Sequence, residues 1–287
     1  MSGGADVNTA RYVVNCSILL TELPLLQRPQ AARDAGFDAV EFWWPFDYAV
    51  PSDSEVEAFI GAVTDAGVRL AALNFAGGDM AAGERGLLSD PGRRRELRDN
   101  VDVALGIADR LGTKAFNALY GNRLDGVAAA EQDAVAAENL DHIGRLAERA
   151  GAVILVEPLS GVDAYPLRTA RDVISVIEKV DGVTSLRLLA DLYHLSVNGD
   201  DITAAVDEFG DRIGHVQLAD APGRGAPGTG TVNFDRHLAH LHERGYRGHV
   251  SLEYRDDSAD PFGWLPRSQR SADPWQRADK RIRAGAL

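Results

Sequence analysis

The sequence predicts an α/β chain that closes into a single-domain (β/α)8 barrel. Short apolar runs alternate eight times with longer amphipathic stretches, the pattern of parallel βαβ units. The chain has 287 residues, a length at which one such barrel of about 250 residues is normal. The first strand runs into Ser17-Ile18-Leu19-Leu20-Thr21-Glu22-Leu23, where a doubly wound nucleotide-binding sheet needs a glycine-rich turn.

The predicted strands are Tyr12–Ser17, Ala39–Trp43, Val68–Asn74, Lys114–Leu119, Val153–Glu157, Ser185–Asp191, Ile213–Leu218 and His249–Glu253. Helical periodicity covers 24–35, 54–66, 90–111, 129–150, 167–179, 201–209 and 233–244. Gly36, Gly67, Gly112, Gly151 and Gly245 stand where a helix stops before the next strand, a position that favours positive φ. The expected organisation is a flexible N-terminus over 1–10, the barrel over 11–255 and a C-terminal extension over 256–287 packed on the barrel.

Hydrophobic residues make up 45 % and charged residues 25 %, which excludes a disordered chain. Acidic residues outnumber basic ones by 43 to 30, and the formal charge of −13 opposes a nucleic-acid groove. It leaves anionic substrates open, because a bound cation inverts the local field. The one cysteine, Cys16, excludes an intrachain disulfide framework. No run of about 18 apolar residues is present to span a membrane. The first ten residues lack a signal peptide's basic and apolar regions, so a cytoplasmic location is expected, and Asn15-Cys16-Ser17 is a chance match to the glycosylation pattern.

Catalytic groups of such a barrel sit at the C-terminal ends of its strands. Val153, Leu155 and Glu157 share a strand face, as do Leu189 and Asp191, then Ile213, His215 and Gln217, then His249, Ser251 and Glu253. Four successive strands therefore end their inward rows in Glu157, Asp191, Gln217 and Glu253. Buried carboxylates are costly unless paired or coordinated, and three around one mouth repel each other. One divalent cation between them relieves both effects, and all-oxygen ligands favour magnesium or manganese over zinc. The competing reading, structural pairing with Arg or Lys, is weakened because the inward positions near these strand ends carry no basic residue.

His194, three residues after Asp191, is placed to donate to a substrate oxygen. His215 lies one step deeper and is expected to be a satisfied core histidine. Glu41, Asn74 and Asn117 end strands two, three and four and are candidates for hydrogen bonds either to the substrate or to the residues that hold the metal. His237, His240 and His242 lie on a helix outside the barrel and are expected to be solvated. Two connections are long enough to be lids or binding loops: loop three (76–93) and the Gly/Pro-rich loop seven (219–234), whose Arg224 suits a carboxylate clamp. Trp43, Trp44 and Trp264 suit a substrate wall or an interface in a homo-oligomer.

GFDAVEFWWPFDY, GGDMAAGERGLLSDPGR, VEPLS, ADLYH, HVQLADAPGRGAPGTGTVNF and LEY together resemble the hydroxypyruvate isomerase family of the xylose-isomerase-like TIM-barrel superfamily, over residues about 36 to 254. The resemblance implies proton transfer by Glu157 and Glu253, a metal held by these two with Asp191 and Gln217, and substrate oxygens bound by His194 and Arg224. Related ketose epimerases usually carry His where Gln217 stands. Departures are the bulk of Trp43-Trp44, Gly223 where some members have His, and the long C-terminal extension. The implied chemistry is metal-dependent isomerisation of a short hydroxy-oxo acid through an enediolate, with hydroxypyruvate to tartronate semialdehyde as the leading reaction. A 2-oxo-tetronate isomerase and a ketose 3-epimerase use the same chemistry. The other classes are a non-catalytic sugar-binding barrel and a zinc-dependent endonuclease, and the latter needs several inward histidines at the strand ends and a basic groove, neither of which is apparent.

Overall fold

A computed structural model describes residues 12–271. The expected N-terminal tail over 1–10 and the end of the extension, 272–287, lie outside the described residues. Eight strands, β1 (Tyr12–Asn15), β2 (Ala39–Phe42), β3 (Arg69–Asn74), β4 (Ala115–Asn117), β5 (Val153–Val156), β6 (Leu186–Asp191), β7 (Ile213–Leu218) and β8 (Val250–Leu252), form a closed parallel barrel in chain order. β8 pairs with β1 through Tyr12↔Val250 and Val14↔Leu252, so no edge is left open. Among the described residues no helix is long and apolar enough to cross a membrane.

The principal outer helices are α1 (Arg28–Asp34), α2 (Asp53–Ala66), α3 (Arg94–Leu111), α4 (Ala129–Ala150) and α5 (Ala170–Ile177). They are followed by α6 (Leu192–Val197), α7 (Ile202–Phe209) and α8 (Phe234–Glu243). Several strands end one or two residues earlier than the sequence pattern predicts, although single backbone bonds such as Glu253 N to the Leu218 carbonyl, at 3.0 Å, reach past those ends. The helix predicted from residue 90 starts at Arg94: Asp90 accepts from the Gly92 N–H in a turn, and Pro91-Gly92 delays entry into the helix. The 24–35 segment opens as a 3-10 turn over Leu25–Gln27 before α1. α6 was not predicted; it begins at Asp191, whose Oδ1 accepts from the Tyr193 N–H at 2.8 Å.

Phe42 meets Phe59 edge-on at 5.2 Å, and Phe75 stacks on Phe116 at 5.4 Å, joining α2, the end of β3 and β4 in one apolar mass. Register irregularities fall between Val40 and Glu41 and between Leu188 and Leu189, just before the acids of β2 and β6. Such bulges re-aim the side chains that follow. The described part of the extension packs back on the barrel: Phe262 lies 4.8 Å from Phe37, and Arg270 donates to the Ala35 carbonyl at 2.7 Å.

The five glycines expected at helix ends all have positive φ. Gly86 in loop three is more constrained: its φ is 110°, and a Cβ would lie 2.0 Å from the Leu119 carbonyl oxygen. Gly86→Ala should therefore destabilise the protein by roughly 2 kcal/mol or more, because strain and clash add. Chemical denaturation measures this, and an unchanged midpoint would contradict the tight contact of loop three with the end of β4.

Candidate active site at the barrel mouth

The β6–β7–β8 register, Leu189↔His215, Asp191↔Gln217 and Gln217↔Ser251, sets the predicted inward residues side by side. Glu157, one residue past β5, Asp191, the last residue of β6, and Glu253, one residue past β8, are all buried, as is Gln217. Each of the three acids has one oxygen held by neutral donors. Glu157 Oε2 accepts from Asn117 Nδ2 at 2.7 Å. Asp191 Oδ1 is the cap of α6, while its Oδ2 is buried with no hydrogen-bond partner. Gln217 Nε2 donates to Glu41 Oε1 at 2.8 Å and to Glu253 Oε1 at 3.2 Å, leaving its own Oε1 buried and unpartnered. Glu253 Oε1 also accepts from Asn15 Nδ2 at 2.9 Å and from Trp43 Nε1 at 2.7 Å.

Arg224 reaches this cluster from loop seven. Its Nη2 pairs with Glu253 Oε2 and lies 3.9 Å from Asp191 Oδ2, and its guanidinium sits over the Tyr193 ring. Its backbone has φ 55°, a conformation that costs a non-glycine residue about 1–3 kcal/mol and persists only where the surroundings enforce it. They do: Asp220 accepts from Gly228 and Val232 N–H, Asp220 N donates to the Gly225 carbonyl, and Arg255 N donates to the Arg224 carbonyl.

His194 stands on α6 with Nε2 3.9 Å from Glu157 Oε1 and 3.6 Å from Asp191 Oδ2. The Ser160 N–H donates to its Nδ1 at 2.9 Å. In the neutral ring Nε2 therefore carries the proton and faces the acids as a donor. Burial, with the nearby Arg224 cation, pushes the His194 pKa down to about 3, so the ring is neutral at physiological pH.

Burial raises the Glu157 pKa well above its ordinary value, and the charges of Glu253 and Asp191 raise it further. Burial also raises Asp191, with Arg224 opposing. Glu253 is pushed up to about 7 by burial, against the pull of Arg224. Glu41 goes the other way: burial would raise it, but His215 and the surrounding donors hold it below the usual range.

The residues proposed for substrate contacts separate. His194, Arg224 and Asn74 line a cavity of about 390 Å³ with Glu157 and Glu253, within the usual range for small-molecule sites. A second cavity of about 590 Å³ adjoins it and shares Trp43, Asn74, Met80 and Leu119. Asn117 is instead the donor that fixes Glu157. Glu41 is not on the cavity wall; its oxygens are taken by His215 Nε2 at 2.7 Å, Gln217 and Asn15. His215 is thus a satisfied core histidine. His237, His240 and His242, expected to be solvated, are each half-buried, since α8 packs on α7, and His240 Nε2 pairs with Asp207 Oδ1 at 2.8 Å.

Sequence reasoning missed Asn15, Ser160 and the direct bond of Trp43 to Glu253. Asn15 obeys the same rule as the residues that were found, a polar side chain closing an apolar strand. Ser160 and Trp43 lie beyond their strands, where side-chain direction is set by loop geometry.

The donor set fits a hard divalent cation. Asp191 Oδ2 and Gln217 Oε1 are buried oxygens without hydrogen-bond partners, and Glu157 Oε1 and Glu253 Oε2 are the oxygens left to their carboxylates after the neutral donors are counted. Among the described residues, Glu157, Asp191 and His194 also place one potential ligand atom each within 4.8 Å of one another. The His194 tautomer set by Ser160 favours the oxygen set over the imidazole.

A barrel with an oxygen-lined acid cluster at its C-terminal mouth defines the class. The chain belongs to the xylose isomerase-like TIM-barrel family, whose pattern matches residues 29–278. It is 50 % identical to a Streptomyces coelicolor protein provisionally named a hydroxypyruvate isomerase, over 91 % of this chain and 98 % of that one. It is 32 % identical to the Escherichia coli hydroxypyruvate isomerase (89 % and 98 % covered) and 31 % identical to a 2-oxo-tetronate isomerase of Cupriavidus necator (89 % and 97 %). A solved Brucella melitensis structure described as a family 2 AP endonuclease is similar in fold, with a TM-score of 0.81 at 28 % identity, covering 89 % of this chain and 98 % of that one.

Stability should report the buried acids directly. A carboxyl whose pKa rises on folding holds more protons folded than unfolded, so stability falls as pH climbs from its ordinary value toward the folded one. For Glu253 that window runs from 4.5 to about 7. Glu41 contributes in the opposite sense, its stabilisation being lost as pH falls below its ordinary range. The chelator-treated protein should melt at lower temperature at about pH 7 than at about pH 5, and Glu253→Gln should flatten that slope. Calorimetry across the window checks this; identical slopes for the two proteins would contradict it.

Proposed function

We propose that the protein is a divalent-metal-dependent isomerase of short hydroxy-oxo acids, interconverting hydroxypyruvate and tartronate semialdehyde. The observation that carries this reading is the pair of buried carboxylates, Glu157 and Glu253, facing one small cavity with the neutral His194 N–H beside Glu157. The 50 % identical relative supports the substrate. Glu157, Asp191, Gln217 and Glu253 would hold one cation, magnesium or manganese by their all-oxygen character. When bound, it neutralises the acids and stabilises negative charge on substrate oxygens.

The reaction moves a hydrogen between C3 and C2. One glutamate takes the C3 proton, giving an enediolate, and the same or the opposing glutamate returns a proton to C2. The hydroxyl proton passes from O3 to O2, so atoms balance and no electrons leave the substrate. Burial raises both glutamates above their ordinary range, and Glu253 reaches about 7, where proton uptake and release are balanced near neutrality. Asn117 fixes Glu157, while Asn15, Trp43 and Gln217 fix Glu253, so neither swings away from the substrate carbon. His194 Nε2–H donates to the oxygen on which charge develops, and its depressed pKa keeps it from protonating the base. Arg224 compensates Glu253 and Asp191. Trp43, Leu119 and Leu159 restrict water around the planar intermediate.

A four-carbon 2-oxo-tetronate is the second reading. The adjoining cavity of about 590 Å³ gives room for a longer substrate, and the Cupriavidus necator relative is named for that activity.

The test is turnover of hydroxypyruvate by protein stripped with a chelator and then given manganese or magnesium. Activity should vanish and return. Glu253→Gln, which cannot accept a proton, should lower turnover by about two to four decades while the protein still retains metal. Asp191→Asn should weaken metal retention, measured by elemental analysis. Full activity in metal-free protein, or a near-wild-type rate in Glu253→Gln, would contradict the assignment.

A further inference from the structure

A substrate that carries its own carboxylate meets an electrostatic obstacle here. The cavity wall already includes Glu157 and Glu253, with Asp191 buried among them. Arg224, which the sequence suggests as the carboxylate clamp, is turned onto Glu253 and Asp191. An acid substrate then needs another cation in the same cavity, away from those acids.

Arg85 of loop three lines that cavity. Its Nη1 donates to the Met80 and Glu84 carbonyls at 2.9 and 2.6 Å, which fixes the plane of the guanidinium. No carboxylate pairs with it among the described residues, and Nε and Nη2 have no protein acceptor there. The adjacent acid, Glu84, is turned away, accepting from Arg93 Nη1 at 2.6 Å and from the Asp79 N–H. The free Nε–Nη2 edge is the one that grips a carboxylate with two parallel hydrogen bonds.

The backbone under Arg85 is also held. Its carbonyl accepts from Gly121 N at 3.0 Å, and Gly86 N donates to Gly77 at 2.8 Å. Gly86 itself lies against the Leu119 carbonyl, where no side chain fits. A half-buried arginine with a fixed backbone, one anchored nitrogen and an unpaired edge is organised before substrate arrives, so little ordering is left to offset binding. Arg255, which is exposed, lines the same cavity and adds positive charge to it.

We propose that Arg85 is the receptor for the substrate carboxylate and the residue that makes the site select acids over neutral sugars, leaving Arg224 to compensate the catalytic acids. This rests on the acid-substrate reading above. It also gives loop three a purpose: it carries the selecting charge on a segment pinned to the end of β4.

The experiment compares glycerate with its uncharged, nearly isosteric amide, glyceramide, as ligands of the manganese-loaded full-length protein. Calorimetric affinities are measured for wild type, Arg85→Met and Arg85→Lys, with metal content and melting temperature recorded for each. Wild type should prefer glycerate. Arg85→Met should lose roughly ten- to a hundredfold of that affinity, the worth of a charged hydrogen bond, while its affinity for glyceramide is unchanged. Arg85→Lys, which keeps the charge without the two-pronged edge, should recover part of the loss. In turnover of hydroxypyruvate, Arg85→Met should raise KM more than it lowers kcat. A wild type that prefers glycerate, with Arg85→Met preferring it equally, overturns the Arg85 assignment alone. A wild type that does not distinguish glycerate from glyceramide overturns the acid-substrate reading together with it. If Arg85→Met does not fold, Arg85→Gln takes its place, and an undiminished preference in that variant also overturns the proposal.

Discussion

Glu157, Asp191 and Glu253 carry their carboxyl groups into a region water barely reaches, and their mutual repulsion governs how the barrel mouth is built. Two unit charges about 4–5 Å apart cost on the order of 3–4 kcal/mol at the effective dielectric typical of proteins. Left to themselves the groups would take up protons, which is the direction burial drives all three. An enzyme using a carboxylate as a base profits from a moderate rise and loses from a large one. The surrounding structure limits that rise with neutral donors on one side of each acid and the Arg224 guanidinium between two of them. Two buried oxygens, on Asp191 and Gln217, are left for a cation to satisfy.

The neutral donors form a connected system through the barrel interior. His215 binds Glu41, Glu41 receives Gln217 and Asn15, and both amides continue to Glu253. Asn15 and Glu41 lie opposite each other on β1 and β2, while His215 and Gln217 are two apart on β7, so four side chains from three strands meet without crossing a loop. A buried polar network stabilises a unique arrangement only when its members are satisfied. Here the exception, Gln217 Oε1, points to function. Glu41 can remain ionised because His215 faces it, and this keeps the amides oriented as donors toward the site. The loops bring further side chains to the same cavity: Arg224 from loop seven, Arg85 from loop three, and Ser160 after β5, whose N–H sets the His194 tautomer.

The barrel was legible from the sequence because eight short apolar runs alternate with seven stretches of period near 3.6. Its acid rows were legible because strand alternation dictates which residues face inward, and Glu157, Asp191, Gln217 and Glu253 each end such a row. Roles were harder. Glu41 and Glu157 both lie at the C-terminal ends of their strands, but one is bonded by Asn15 and His215 and its charge is compensated, while the other opens on a cavity. That difference depends on neighbours from other strands, Asn15 on β1 and His215 on β7. Arg224 was visible as the central cation of a flexible-looking loop, whereas its direction depends on a left-handed backbone that Asp220 stabilises. α6 was overlooked because six residues carry too little periodicity, although its cap, Asp191, was already marked as a site residue.

The proposed reaction passes a carbon-bound proton through a buried glutamate. The most direct measurement is to incubate metal-loaded protein with hydroxypyruvate in deuterated water and follow the product by mass and proton resonance. A carboxyl group that accepts the proton can exchange it with solvent before returning it, so tartronate semialdehyde should form with deuterium at C2, in a fraction set by exchange against turnover. Product made at full rate without deuterium at C2, in wild type and in a variant whose cavity is opened to solvent by Leu159→Ala, would contradict proton transfer through Glu157 or Glu253 and point to a direct hydride shift.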